Sequence, residues 1–148
     1  MRAVLQRVSR AQVEVGDEVV GSIARGYLIL LGVGHGDGPA EAEHLWSKIR
    51  TLRLMEDGNG KTNLSLADVA GEVLVVSQFT LYADCRRGRR PSFTAAGAPG
   101  PARELYERFC EIARRDVEHV ATGVFGADMK VSLVNDGPFT VVLDTDDL

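Results

Sequence analysis

The segment Ser77-Gln78-Phe79-Thr80-Leu81 places polar side chains where an apolar segment ends. It follows Val73-Leu74-Val75-Val76, whose continuous apolar character is typical of a strand buried on both faces. Ligands of α/β proteins commonly bind near strand ends, so the segment predicts a binding or catalytic site. The alternative is that the three polar side chains only cap the strand through hydrogen bonds with the nearby backbone.

A second segment with chemical potential is Asn135-Asp136-Gly137-Pro138-Phe139-Thr140. Asp-Gly-Pro between two strands is usually a turn. Pro138 also has no N–H, and the bond before a proline adopts the cis form at modest cost. A cis bond would direct two adjacent carbonyl groups the same way, where they could accept from an ammonium group or exclude a substituent. The residues alone leave both interpretations open.

Four arginines, Arg86, Arg87, Arg89 and Arg90, lie within five residues of each other. The formal net charge of the chain is −4, which argues weakly against a nucleic-acid partner. Local charge decides contact with phosphates, however, so this segment is a candidate phosphate-binding site. The alternative is a solvated loop that happens to be basic.

Other motifs do not complete a site. Gly58-Asn59-Gly60-Lys61-Thr62 resembles the end of a phosphate-binding loop, but Met55 stands where its first glycine is required. The three histidines lack metal-ligand spacing, and we expect neither a metal nor a cofactor. Cys85 has no histidine partner, and no serine occupies a Gly-x-Ser-x-Gly motif. A conventional pair of nucleophile and base is therefore poorly supported.

The composition is that of an ordinary globular chain. It has 148 residues, 45% hydrophobic and 26% charged, which predicts one domain over residues 1–148 that needs no disulfide or metal to fold. The start lacks the layout of a secretion signal, and the longest apolar stretch, Tyr27 to Val33, is too short to span a bilayer. Two cysteines make no disulfide framework. We therefore expect a cytoplasmic protein without membrane contact.

The elements that would position these segments form a mixed α/β chain. Strands are predicted at residues 2–9, 11–16, 18–23, 27–33, 73–76, 130–134 and 139–143, with a hairpin turn at Gly16-Asp17. Helices are predicted at about 39–54 and 101–115. On the second helix, Glu104 with Arg108 and Glu111 with Arg115 have the spacing of ion pairs.

The whole chain resembles the family of bacterial and eukaryotic D-aminoacyl-tRNA deacylases. The resemblance rests on residues 1–8, 18–21, 61–65, 77–81, 90–93 and 135–140, among which the serine-glutamine and glycine-proline motifs are the family's two signatures. The segment Arg86-Arg87-Gly88-Arg89-Arg90 is richer in arginine than the lysine-bearing form of the family. The resemblance implies a three-layer α/β/β architecture with barrel-like sheets and two helices.

The resemblance also implies an activity, which is hydrolysis of the ester bond of D-aminoacyl-tRNA and of mischarged glycyl-tRNA. A cis bond between Gly137 and Pro138 would reach into the active site of the second subunit of a homodimer and reject L-amino acids by collision. Ser77, Gln78, Phe79 and Thr80 would form the catalytic site, with backbone N–H groups as oxyanion donors and help from the 2′-hydroxyl of the tRNA. The arginines would bind the tRNA.

Two other classes of function remain as alternatives. A non-catalytic RNA-binding module would use the arginines, although the sequence has no evident aromatic platform for stacking bases. An esterase for small molecules would not need the arginines. Release of the amino acid from D-aminoacyl-tRNA, compared with cleavage of free amino-acid esters, distinguishes these classes.

Overall fold

The computed structural model describes residues 1–148 and contains eight strands and two helices. The strands are β1 (Arg2–Val15), β2 (Glu18–Ile23), β3 (Gly26–Gly32), β4 (Met55–Glu56), β5 (Thr62–Leu64), β6 (Glu72–Ser77), β7 (Val120–Thr122) and β8 (Lys130–Asp144). The helices are α1 (Pro39–Thr51) and α2 (Pro99–Ala113), and short 3₁₀ turns cover Ala67–Val69, Phe79–Tyr82 and Thr145–Asp147. The predicted mixed α/β class is confirmed. Neither helix has the length and apolarity that a membrane crossing requires.

The main sheet is mixed and strongly curved. Its order is β2-β1-β3-β6-β7, and β8 pairs with β1 along the opposite edge of that strand. β3, β6 and β7 are parallel to one another, whereas β1 is antiparallel to each of its partners. β2 closes onto β7 so tightly that a Cβ on Gly21 would lie 2.6 Å from the carbonyl oxygen of Thr122. The sheet is therefore nearly closed, as the resemblance implies.

Alternate side chains of the central strands enter two separate cores. Ile29 and Leu31 of β3 pack with both helices in a core of 24 buried residues, whereas Leu28 belongs to a core of seven on the other side of the sheet. β1 contributes side chains to both cores. Its register with β8 shifts on either side of Val8, so a different alternate set of side chains faces inward before and after this residue. The helices form one layer, and the two regions of the curved sheet on either side of the smaller core form the other two, which gives the three expected layers.

The ion pairs predicted within the second helix are wrong. Arg115 binds Glu43 of α1 at 3.0 Å, and Arg108 binds both Glu43 at 3.6 Å and Glu111 of its own helix at 3.5 Å. The two helices pack side by side, so a carboxylate from the neighbouring helix reaches both guanidinium groups. Residue spacing predicts only ion pairs within one helix, so it could not predict that a carboxylate of α1 binds these arginines.

Several strands and both helix ends also differ from the prediction. The two final strands are one continuous strand, β8, although residues 136–139 leave the register between Asn135, opposite Val8, and Thr140, opposite Gln6. The short strands β4, β5 and β7 were not predicted, because two or three residues are too few for a periodic pattern. Both helices end about two or three residues earlier than predicted.

Candidate active site

A cavity of about 770 Å³ lies beside the carboxyl end of β6. Three of the four predicted catalytic residues line it, namely Ser77, Gln78 and Phe79. The other walls are mostly apolar and come from distant parts of the chain, including Val33, His35, Phe93, Thr94, Pro99, Ala102, Phe125, Asp128 and Met129. The cavity therefore combines a strand end with apolar surfaces, as small-molecule sites commonly do.

Aromatic rings form part of the cavity wall. Phe79 and Phe93 pack edge to face, with ring centroids 5.0 Å apart, and Phe79 is still 55% exposed. Phe125 contributes a third ring from the segment before β8. No aromatic platform was evident from the sequence, because residues 79, 93 and 125 are far apart in the chain and line one cavity only in the fold.

The backbone after β6 turns sharply into the 3₁₀ turn Phe79–Tyr82. The N–H of Gln78 donates to the carbonyl oxygen of Leu31 at 2.8 Å, which continues the pairing with β3 to this point. The N–H of Leu81 then donates to the carbonyl oxygen of Gln78 at 3.2 Å. The N–H groups of Phe79 and Thr80 make no turn or loop hydrogen bond, since the first donors of a helical turn have no partner within it. They are available as donors to a ligand.

Thr80 lies outside the cavity wall. Its side chain is exposed, and its hydroxyl accepts a hydrogen bond from the side-chain amide of Gln78. This bond joins the two polar side chains of the turn to each other. The side chain of Thr80 thus has a structural partner, and only its backbone N–H is free.

The segment 136–139, hereafter the Gly-Pro loop, interrupts the pairing of β8 with β1 and is largely exposed. The Gly137–Pro138 peptide bond is cis, as the resemblance implies. Asn135 closes the base of the loop, since its amide donates to the carbonyl oxygens of Arg7 and Phe139 at 3.0 and 2.9 Å, and its Oδ1 accepts from the N–H of Phe139 at 2.9 Å. These bonds replace the strand pairing that the loop interrupts.

Arg7 supports the loop from below and was not identified from the sequence. It is the one buried charged residue, with 3% exposure. Its guanidinium donates to the carbonyl oxygens of Asp136 and Leu54 at 2.7 and 2.8 Å and to Glu56 at 3.1 Å. It also lies 5.1 Å from the ring centre of Phe139. The signal in the sequence was a charged residue within an otherwise alternating apolar strand.

Gly137 has little room for a side chain. Its φ angle is +148°, and a Cβ there would lie 2.8 Å from the backbone nitrogen of Phe139 and 3.1 Å from Nη2 of Arg7. The loop itself is exposed, and neither Gly137 nor Pro138 lines the cavity beside β6. The structure therefore does not bring the two predicted halves of the site together within one chain.

The four arginines lie in an exposed loop, residues 84–92, hereafter the arginine loop. Its ends are joined by reciprocal backbone hydrogen bonds between Asp84 and Ser92, at 2.7 and 2.9 Å. Arg86 donates two side-chain hydrogen bonds to Asp84, which hold the pKa of that carboxyl well below its usual range. Arg87, Arg89 and Arg90 are exposed and form no hydrogen bond or ion pair, so three guanidinium groups are free to bind a ligand.

Comparisons with known proteins agree with one another. A family model described as D-Tyr-tRNA(Tyr) deacylase matches residues 4–144. The chain is 55% identical to the D-aminoacyl-tRNA deacylase of Thermotoga petrophila, over 100% of this chain and 99% of that protein. It is 59% identical to the D-aminoacyl-tRNA deacylase of a Roseiflexus species, over 98% and 94% respectively.

Solved structures give the same relationship. A structure described as c-Myc DNA Unwinding Element Binding Protein is 42% identical, with a TM-score of 0.92 over 97% of this chain and 98% of that one. A probable eukaryotic D-amino acid tRNA deacylase has a TM-score of 0.81 over 96% and 97% at 19% identity. The second likeness concerns the fold alone.

Proposed function

The chain belongs to the D-Tyr-tRNA(Tyr) deacylase family, and we propose that it hydrolyses the ester bond of D-aminoacyl-tRNA to release free tRNA and the D-amino acid. The observation that carries this proposal is the match of residues 4–144 to the family model, together with relatives named D-aminoacyl-tRNA deacylase that align along nearly their whole length. An aminoacyl-tRNA substrate also favours a cytoplasmic location.

The proposed chemistry needs no covalent nucleophile. An aminoacyl ester is labile in water, so positioning and stabilisation of the oxyanion supply the catalysis. The free N–H groups of Phe79 and Thr80 are the proposed donors, and Ser77 and Gln78 shape the adjoining wall of the cavity. The rings of Phe79, Phe93 and Phe125 would pack against the terminal base of the tRNA, which places the 2′-hydroxyl of its ribose near the ester to assist attack by water.

We propose that the Gly-Pro loop of a second copy closes this cavity and sets the chirality. The carbonyl groups of Gly137 and Pro138 would face the α-carbon, where an L-substituent collides and a D-substituent does not. A glycyl ester, which has no substituent, would also be cleaved. Two observations support a partner: the loop is exposed, and it does not line the cavity of its own chain. A two-fold homodimer would complete two sites at once.

The arginine loop would bind tRNA phosphates. Arg87, Arg89 and Arg90 have no protein partner, and Arg86 is anchored by Asp84. Phe93 follows the loop directly and lines the cavity, so the arginine loop adjoins the cavity wall and its guanidinium groups would meet phosphates near the terminal nucleotide. This proximity supports a role in substrate binding rather than simple solvation.

A complementation experiment tests the activity and the shared site together. Purified protein should hydrolyse D-tyrosyl-tRNA and spare L-tyrosyl-tRNA. Gly137→Ala removes the loop's function, and Thr94→Trp fills the cavity from an exposed position of its wall. Each variant alone should be inactive, whereas co-expression should restore about a quarter of wild-type activity, because half of the dimers carry one intact site.

The outcomes of this experiment separate two claims. Absence of hydrolysis by the wild-type protein contradicts deacylation itself. Activity of the wild-type protein without recovery in the mixture contradicts completion of the site by a partner.

A role for Thr80 through its N–H predicts a mild phenotype on substitution. Thr80→Ala keeps the backbone donor and loses only the bond from Gln78, so most activity should remain. Steady-state rates on D-tyrosyl-tRNA measure this. Complete loss of hydrolysis with tRNA binding intact, or an acyl group trapped on Thr80, would show covalent catalysis instead.

Binding of nucleic acid without catalysis is the second candidate, and the three unpaired arginines are the observation that favours it. It predicts salt-dependent binding of uncharged tRNA and no release of amino acid. Parallel filter-binding and deacylation assays on one preparation distinguish it from the first proposal.

A further inference from the structure

We infer that Arg2 and Tyr82 are positioning residues that fix the 3₁₀ turn Phe79–Tyr82, and with it the two free backbone donors at its start. This inference rests on the proposed function for the importance of those donors. It adds a group of residues at the amino-terminal end of β1 to a site built around the carboxyl end of β6.

The turn is secured from two directions. At its start, the N–H of Gln78 is bonded to Leu31 of β3. At its end, Nη1 of Arg2 donates to the carbonyl oxygen of Leu81 at 3.2 Å. The same guanidinium donates through Nε to Asp144 at 2.6 Å, so Arg2 connects the turn to the last residue of β8. Arg2 thus supplies a side-chain hydrogen bond to the backbone of the second half of the turn.

The ring of Tyr82 packs against Arg2 and against two glycines at the end of β3. The guanidinium carbon of Arg2 is 4.5 Å from the ring centre. A Cβ on Gly34 would lie 2.6 Å from the ring, and a Cβ on Gly32 would lie 3.2 Å from it. Any other residue at Gly34 would displace the ring, so the position of Tyr82, and therefore of the turn, depends on glycine there.

The hydroxyl of Tyr82 completes the network through Asp37. It donates to Oδ2 of Asp37 at 3.3 Å, and the same oxygen accepts from the N–H of Gly34 at 2.6 Å. Oδ1 of Asp37 accepts from the ammonium group of Met1 at 2.8 Å. Burial and the neighbouring carboxylate of Asp37 raise the pKa of the Tyr82 phenol, which therefore remains a protonated donor at neutral pH.

The position of the donors matters more than their presence. Oxyanion donors act when they lie close to the position that the developing charge will occupy, and a displacement of about 1 Å can cost roughly a hundredfold in rate. Arg2 and Tyr82 do not line the cavity, so their loss removes no side chain that would contact the substrate. Their effect should therefore appear in kcat and not in KM.

The test compares Arg2→Met with Arg115→Met as a matched control. Arg115 also pairs with a carboxylate, at 3.0 Å from Glu43, but follows the end of α2 and does not line the cavity. On D-tyrosyl-tRNA, Arg2→Met should lower kcat by about ten- to a hundredfold with KM within about twofold, and the control should match wild type. Arg2→Lys keeps one donor and should restore kcat in part. Tyr82→Phe keeps the ring and should cost less than Arg2→Met.

Hydrogen exchange of the free protein gives a readout that does not depend on activity. Arg2→Met should speed exchange in residues 78–83 and leave β6 unchanged. If the wild-type protein is active but Arg2→Met keeps wild-type kcat, or lowers only the melting temperature, the positioning role is wrong. If faster exchange is seen while the wild-type protein shows no deacylation, the network is right and the proposed function is wrong.

Discussion

The Gly-Pro loop and the arginine loop are both exposed and both predicted to touch substrate, yet the chain holds them in different ways. The Gly-Pro loop has Asn135 across its base and a buried arginine beneath it. The arginine loop has one backbone bridge at its ends and one ion pair between residues two apart. The first loop is fixed to the core, whereas the second is fixed only to itself.

This difference matches the two tasks proposed for the loops. Rejection of a substituent at a single carbon atom requires carbonyl groups held within a fraction of an ångström, which a buried guanidinium with three acceptors provides. Attraction of phosphates acts over several ångströms and tolerates many side-chain conformations. The buried arginine thus supports the Gly-Pro loop rigidly, whereas the exposed arginines supply positive charge in the arginine loop.

Loss of the buried support should have the largest effect. Arg7→Met leaves the carbonyl oxygens of Asp136 and Leu54 without donors, and we expect the free energy of unfolding to fall by about 3 kcal/mol. Urea denaturation measures this, with Arg53→Met as an exposed control. A loss of stability no greater than the control's would show that the Gly-Pro loop is held by Asn135 alone.

Gly137→Ala should have the next largest effect. The new Cβ meets backbone at 2.8 Å in a left-handed conformation, which should cost about 1–3 kcal/mol of stability. Gly100→Ala is the matched control, because a Cβ there meets nothing within 4 Å near the start of α2. The control should be neutral or slightly stabilising. Equal stabilities of the two variants, measured by urea denaturation, would contradict the tight packing of the Gly-Pro loop.

Removal of the exposed charges should change binding and spare stability. Replacing Arg86, Arg87, Arg89 and Arg90 with Ala should alter the free energy of unfolding by less than about 0.5 kcal/mol. It should weaken tRNA binding and reduce the salt dependence by roughly one unit of slope for each phosphate that the variant no longer neutralises. Affinities at several salt concentrations measure the slope. An unchanged slope would make the arginine loop a solvated surface.

Asp84→Asn should have the smallest effect and the opposite sign. It frees Arg86 from its partner and removes a negative charge, so tRNA should bind a few-fold more tightly. Since the pKa of Asp84 is lowered by Arg86, its carboxylate stays charged between about pH 5 and pH 7, and the gain should persist over that range. Weaker binding by this variant would mean that the ion pair orders the arginine loop for the substrate.

The sequence predicts the local features of both loops but only part of their setting. Periodicity located β3, β6 and both helices, and the two polar segments pointed to the loop and the turn. Arg7 and Phe125 could not be assigned, because their roles depend on residues more than forty positions away. Only the resemblance implied that the Gly-Pro loop lies apart from the cavity of its own chain. The pattern of apolar residues in a sequence reports how one chain packs and cannot predict contacts with a second copy.

The pairing of β1 with β8 affects how the chain folds while it is being synthesised. Arg2 lies opposite Asp144, and Thr145 donates from its backbone to Met1, so β1 can complete its pairing only after β8 has been synthesised. Until β8 has left the ribosome, one edge of a fourteen-residue strand is open to pairing with other chains. Such distant pairing slows folding, and expression yield should therefore depend on how well that edge is shielded during translation.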